Sequence, residues 1–126
     1  MKSIIKLSLL IVCLTTTKIK AQSAVYFCAD TGIFGYGYGN WSEEDVKYIA
    51  YNKCLGNGGT NPELSFYTPH KGYAAIARGF DRTNNRRVIG GAGGGKSKDE
   101  AEKAAREACL NAGGENPYIA ASWNDE

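Results

Sequence analysis

Gly90-Gly91-Ala92-Gly93-Gly94-Gly95-Lys96-Ser97 satisfies the pattern G-x-x-x-x-G-K-[S/T] in full. In that pattern glycine N–H groups and a helix N-terminus surround phosphate while the lysine neutralises it. The octet follows the short apolar strand Arg87-Val88-Ile89 and opens a helix, so its flanks fit. Four observations weigh against it. Gly35-Tyr36-Gly37-Tyr38-Gly39-Asn40-Trp41-Ser42 repeats the glycines without the lysine. Ser97 is already the natural cap of the following helix. The strands read as hairpins rather than the parallel βαβ unit that presents such a loop. No separate apolar strand ends in an aspartate to hold Mg²⁺, and the basic-then-apolar residues 1–21 read as an export signal, which would place the chain where ATP is scarce. An enzyme or nucleotide-binding protein using Gly90–Ser97 is therefore the alternative reading, and the leading one is non-enzymatic.

Other chemistry is sparse. His70 is the only histidine, set in a polar stretch beside Pro69 and Lys71, so Ser–His and Cys–His schemes all rest on one loop residue. Glu43-Glu44-Asp45 and Asp99-Glu100 occupy first helical turns, where they favour the helix dipole. No catalytic residues are assigned, no metal-ligand spacing occurs, and no cofactor is expected. Two surface sets remain as binding candidates. Arg82, Arg86 and Arg87, with Arg78 and Lys71 nearby, cluster on one long hairpin. Tyr36, Tyr38 and Trp41 belong to an aromatic group, with Tyr48 and Tyr51, suited to protein or glycan surfaces.

An internal repeat positions all of these. Cys54-Leu55-Gly56-Asn57-Gly58-Gly59-Thr60-Asn61-Pro62 matches Cys109-Leu110-Asn111-Ala112-Gly113-Gly114-Glu115-Asn116-Pro117 at an offset of 55 residues. The offset also aligns Gly35 with Gly90, Ser42 with Ser97 and Ala50 with Ala105. Two repeats, about 23–67 and 72–123, make one domain over 22–126. Each reads strand, strand, helix, strand. Ser42 with Asp45 and Ser97 with Glu100 are capping boxes, so helices are predicted over about 43–55 and 98–110. Val46, Ile49, Ala50 and Cys54 share one helical face, as do Ala101, Ala104, Ala105, Ala108 and Cys109. The class is α+β, with two ββαβ pseudo-repeats forming a mainly antiparallel sheet and both helices packed on one face. The alternating glycines of Gly35–Gly39 expose bare backbone on one strand face, where a helix can approach closely, and place tyrosines on the other.

The N-terminus reads as an export signal over residues 1–21: basic Lys2 and Lys6, an apolar run from Leu7 to Leu14, and cleavage after Ala21. The run is shorter than the roughly 20 residues that span a bilayer, so no membrane span remains after cleavage. The chain has 15 Lys and Arg against 13 Asp and Glu. The signal removes Lys2, Lys6, Lys18 and Lys20 and no acid, which leaves 11 against 13, a net −2. That balance withdraws support for a nucleic-acid partner. Cys28, Cys54 and Cys109 remain, enough for one bridge and one free thiol. Cys54–Cys109 is the expected pair, because approximate two-fold symmetry can bring equivalent helix ends together.

The run Ala24-Val25-Tyr26-Phe27-Cys28-Ala29-Asp30-Thr31-Gly32-Ile33-Phe34-Gly35-Tyr36-Gly37-Tyr38-Gly39, then a capped helix ending in Cys54, all repeated, resembles the secreted bacterial family named domain of unknown function 4189. That family pairs a glycine-patterned strand with an alanine-rich helix ending in cysteine, usually twice. Members often carry a further cysteine just beyond each helix, whereas here Asn61 and Asn116 stand nearby. The resemblance implies an exported domain with no established activity and no catalytic residues to carry over. The expectation is a small non-enzymatic binding domain, secreted or periplasmic, of the inhibitor or immunity type. Its partner would be an envelope or extracellular protein or glycan.

Overall fold

Each half of the chain folds as two strands, a helix and a third strand. In the computed structural model the described residues are 22–39 and 41–125. The expected signal peptide over residues 1–21 lies outside them. The first unit comprises β1 (Gln22–Cys28), β2 (Ile33–Gly39), α1 (Glu43–Gly56) and β3 (Glu63–Thr68). The second comprises β4 (Gly72–Asp81), β5 (Arg86–Gly95), α2 (Lys98–Asn111) and β6 (Glu115–Asp125). Both helices start where the capping boxes place them. Ser42 Oγ accepts from the Asp45 N–H at 3.1 Å, and Ser97 Oγ accepts from the Glu100 N–H at 3.1 Å. Both are closed by a glycine pair just past the C-caps Asn57 and Ala112: Gly59 and Gly114 N–H donate to the Cys54 and Cys109 carbonyls, each at 2.9 Å.

The α+β class and the ββαβ order hold, but the strands divide into two antiparallel sheets, β2-β1-β3 and β5-β4-β6. Each sheet carries its own helix, so the helices do not share one face. The reason lies in the central strands, whose two faces are both apolar. Ala24 packs under Val46 and Ala50 of α1, while its neighbour Val25 packs against Ala74, Ile76 and Trp123 of the other sheet. In β4, Ala74, Ala75, Ile76 and Ala77 are all buried. Ala75 and Ala77 meet Ala101, Ala105 and Cys109 of α2. A sheet wet on one side would leave half of these in water, at about 2 kcal/mol for each large side chain. Face-to-face packing of the inner faces removes that cost, and the order is helix, sheet, sheet, helix.

The glycines set how closely the outer layers approach. A Cβ at Gly35 would stand 2.2 Å from the Cys54 nitrogen, and one at Gly90 would stand 2.3 Å from the Cys109 nitrogen. The last turn of each helix therefore rests on bare backbone of its own sheet. A polar link crosses the inner layer. Trp123 Nε1 donates to Ser23 Oγ at 3.0 Å, and Ser23 Oγ donates to Asp125 Oδ2 at 3.2 Å, which joins β1 to β6. Among the described residues no helix is long and apolar enough to cross a membrane.

Candidate functional site

Glycine at position 32 lets the two units touch at one end of the sandwich. Gly32 turns with φ +76°, and a Cβ there would lie 2.5 Å from Arg87 Cδ and 3.0 Å from Arg78 Nη2. The β1–β2 turn of the first unit thus rests on two arginines of the second. Arg87 Nη1 donates to the Asp30 carbonyl at 3.0 Å. Arg78 leans over Phe34, its guanidinium carbon 5.5 Å from the ring centroid.

Beside this seam opens a cleft of about 750 Å³, within the size range of small-ligand sites. Gly32 to Tyr36 of β2 and its turn form one wall, Lys53 and Gly56 of α1 with the C-cap Asn57 another, and Arg78, Ala120 and Ala121 the third. Asn57 Nδ2 donates to the Phe34 carbonyl at 3.1 Å, which fixes the C-terminal turn of α1 against β2. Lys53 Nζ stands 6.0 Å from the Tyr36 ring centroid. Tyr36 is itself clamped by Trp123, with centroids 4.3 Å apart and planes at 9°. The lining contains no carboxylate, so Lys53 and Arg78 give the cleft a positive potential above an aromatic floor.

The binding residues expected from sequence divide among several places. Tyr36 lines the cleft. Tyr38, 46% exposed, continues the aromatic ladder with centroids 6.3 Å from Tyr36 and 5.8 Å from Trp123. Trp41 sits apart before α1, with its carbonyl accepting from Gln22 Nε2. The arginines do not form one free patch. Arg82 pairs with Glu115 at 3.5 Å, and Arg86 Nε bonds Asp81 Oδ2 at 3.1 Å and closes on the Ala112 carbonyl at 3.2 Å. Lys53 and Asn57 were not among the candidates. Lys53 reads from sequence as a cation in a last helical turn, where the dipole alone accounts for it.

The phosphate-loop context is absent. Gly90–Gly95 lie within β5, paired with β4 at Ala77–Gly90, Ile76–Gly91, Ala75–Ala92 and Tyr73–Gly95. Gly90 to Gly93 turn successive N–H groups to opposite sides of the ladder, so these do not converge on one phosphate; Gly94, at φ +70°, kinks the strand where its register against β4 shifts. The glycines serve packing on both faces. Gly90 lies under α2, while a Cβ at Gly91 would meet Phe66 at 2.8 Å and one at Gly93 would meet Thr68 at 2.5 Å. The expected Cys54–Cys109 bridge is not formed either. Cys28, Cys54 and Cys109 are all free and buried. Cys54 and Cys109 belong to helices on opposite outer faces, because the two-fold relation acts through the inner sheet faces. Among the described residues no three His, Cys, Asp or Glu side chains gather as a metal site requires.

The fold and the repeat together define a duplicated ββαβ domain with glycine-seated helices. The chain belongs to the family described as domain of unknown function (DUF4189), whose model matches residues 23–124. No curated protein and no solved structure matches it.

Proposed function

We propose that this chain is an exported, non-enzymatic binding domain of the inhibitor or immunity type, acting on a protein of the cell envelope or extracellular space. The observation that carries the reading is the cleft in which Lys53 and Arg78 face solvent over Phe34 and Tyr36 with no acidic counter-charge in the lining. Arginine and tyrosine are the residue types that dominate binding energy at protein interfaces. A partner placing a carboxylate between Lys53 and Arg78 would gain charge-assisted hydrogen bonds and stacking together. Export is supported by the basic, then apolar, character of residues 1–21.

The test is affinity capture from an envelope fraction, followed by titration of the identified partner. The combined Lys53→Glu and Arg78→Glu variant should bind at least about 100-fold more weakly, the scale of losing a buried charge contact. Its circular dichroism should match that of the unmodified protein. Capture of no partner, or equal affinity for the variant, would end the proposal.

A further inference from the structure

One difference between the two units beneath the helix ends concerns a cysteine. Cys28 pairs across the sheet with Ile33, and Gly79 pairs with Val88. Ile33 and Val88 are related by the 55-residue offset, so Cys28 and Gly79 occupy equivalent places. A Cβ at Gly79 would stand 3.0 Å from Cys109 Sγ. The first unit has a side chain at that place, and it is a thiol, which the repeat sets on the side of the strand pair where the equivalent sulfur, Cys54, packs, short of disulfide distance. Independent contacts agree. Cys54 Sγ lies 3.7 Å from the carbonyl of Ile33, the residue paired with Cys28. A Cβ at Gly59 would lie 2.8 Å from Cys54 Sγ, and the adjoining Thr60 has its Oγ1 3.7 Å from Cys28 Sγ.

We propose that Cys28 and Cys54 are a redox-active dithiol, a modification site that closes to a disulfide by exchange with a low-molecular-weight disulfide, while Cys109 stays a thiol. The inference goes beyond the binding role and stands without it. The two sulfurs are differentiated for the roles of attacker and resolver. The Thr31 hydroxyl, with backbone N–H groups of Thr60, Asn61 and Thr31, draws the Cys28 thiol down to about 6. Burial, then the adjacent Cys28 charge, pushes the Cys54 thiol up. With oxidised glutathione as the disulfide, the Cys28 thiolate attacks one glutathione sulfur and expels the other glutathione as a thiolate. Cys54 loses its proton and attacks Cys28 Sγ, releasing the second glutathione. Two protein thiols are oxidised to one disulfide, and one glutathione disulfide is reduced to two thiols. Cys109 is also pushed up by burial and faces glycine.

The purified full chain is equilibrated across reduced and oxidised glutathione ratios, alkylated, and mapped by non-reducing peptide mass spectrometry, which also separates Cys13. The expected product is a Cys28–Cys54 cross-link, with Cys109 alkylated throughout. Cys54→Ser should instead trap Cys28 as a stable glutathione adduct. Cys109→Ser should leave the cross-link unchanged. No cross-link at the most oxidising ratio, a stable Cys28 adduct in the unmodified chain, or a bridge that includes Cys109 would overturn the proposal.

Discussion

Gly35 and Gly90 bear most directly on how the layers meet. The atoms a Cβ would strike are helix backbone, 2.2 Å and 2.3 Å away, and backbone cannot rotate aside. Gly35→Ala and Gly90→Ala should each cost about 3 kcal/mol or more, the upper range for overpacking. Gly56→Ala, with nothing within 4 Å, should instead gain about 0.5 kcal/mol through the unfolded chain. Urea unfolding of the three variants checks both signs. Two buried carboxylates act oppositely with pH. Burial pushes Asp125 above the usual carboxylate range, partly offset by the Ser23 hydroxyl and the Gly39 N–H. Hydrogen bonds from Asn84, and then Arg86, hold Asp81 below that range. A raised native pKa means the folded state holds its proton more tightly than the unfolded chain. The Asp125 contribution is therefore complete below the unfolded value of about 3.9 and is lost as pH rises through the raised native value. The Asp81 contribution is complete above about 3.9 and is lost as pH falls through its lowered native value. Relative to the unmodified protein, Asp125→Asn should gain stability from pH 4 toward neutrality. Asp81→Asn should be weaker at neutrality, and its deficit should shrink in acid.

At the level of elements, the helices were readable because their signals are local. Ser42 and Ser97 cap as their S-x-x-[D/E] spacing implies, and Val46, Ala50, Cys54, Ala101, Ala105 and Cys109 are buried as their spacing implies. Ala104 differs, being exposed at the edge of the α2 stripe. β5 shows the limit of such reading. Its glycines match a phosphate loop by composition, yet their neighbours are Cys109, Phe66 and Thr68, which lie far away in sequence. Because those glycines hold an extended strand, isothermal titration should detect no ATP binding to the unmodified protein, and Lys96→Ala should change nothing. Measurable ATP affinity that disappears in Lys96→Ala would restore the alternative reading.

For the molecule as a whole, the split into two sheets was the part of the fold least visible from sequence. Hydrophobic alternation identifies strands without saying which strands share a ladder, since pairing is decided by non-local burial. One sign was present: Ala74-Ala75-Ile76-Ala77 is a continuous apolar run, the mark of a strand covered on both faces. The cleft had no comparable sign. Gly32, Lys53, Asn57, Arg78 and Ala121 share no spacing, and only the stacking of the units brings them together. The Ser23–Asp125 hydrogen bond carries a last consequence. It places the start of β1 beside the end of β6, while Asp125 also pairs with Gly72 at the start of the second unit. The order in which the chain visits its halves is thus a matter of covalent wiring rather than of packing. A circular permutant opened between Pro69 and Lys71, with a short linker rejoining the region of Asp125 to Gln22, keeps every strand pair. It should show the same circular dichroism spectrum and one cooperative unfolding transition, with the two halves exchanged in sequence and unchanged in space.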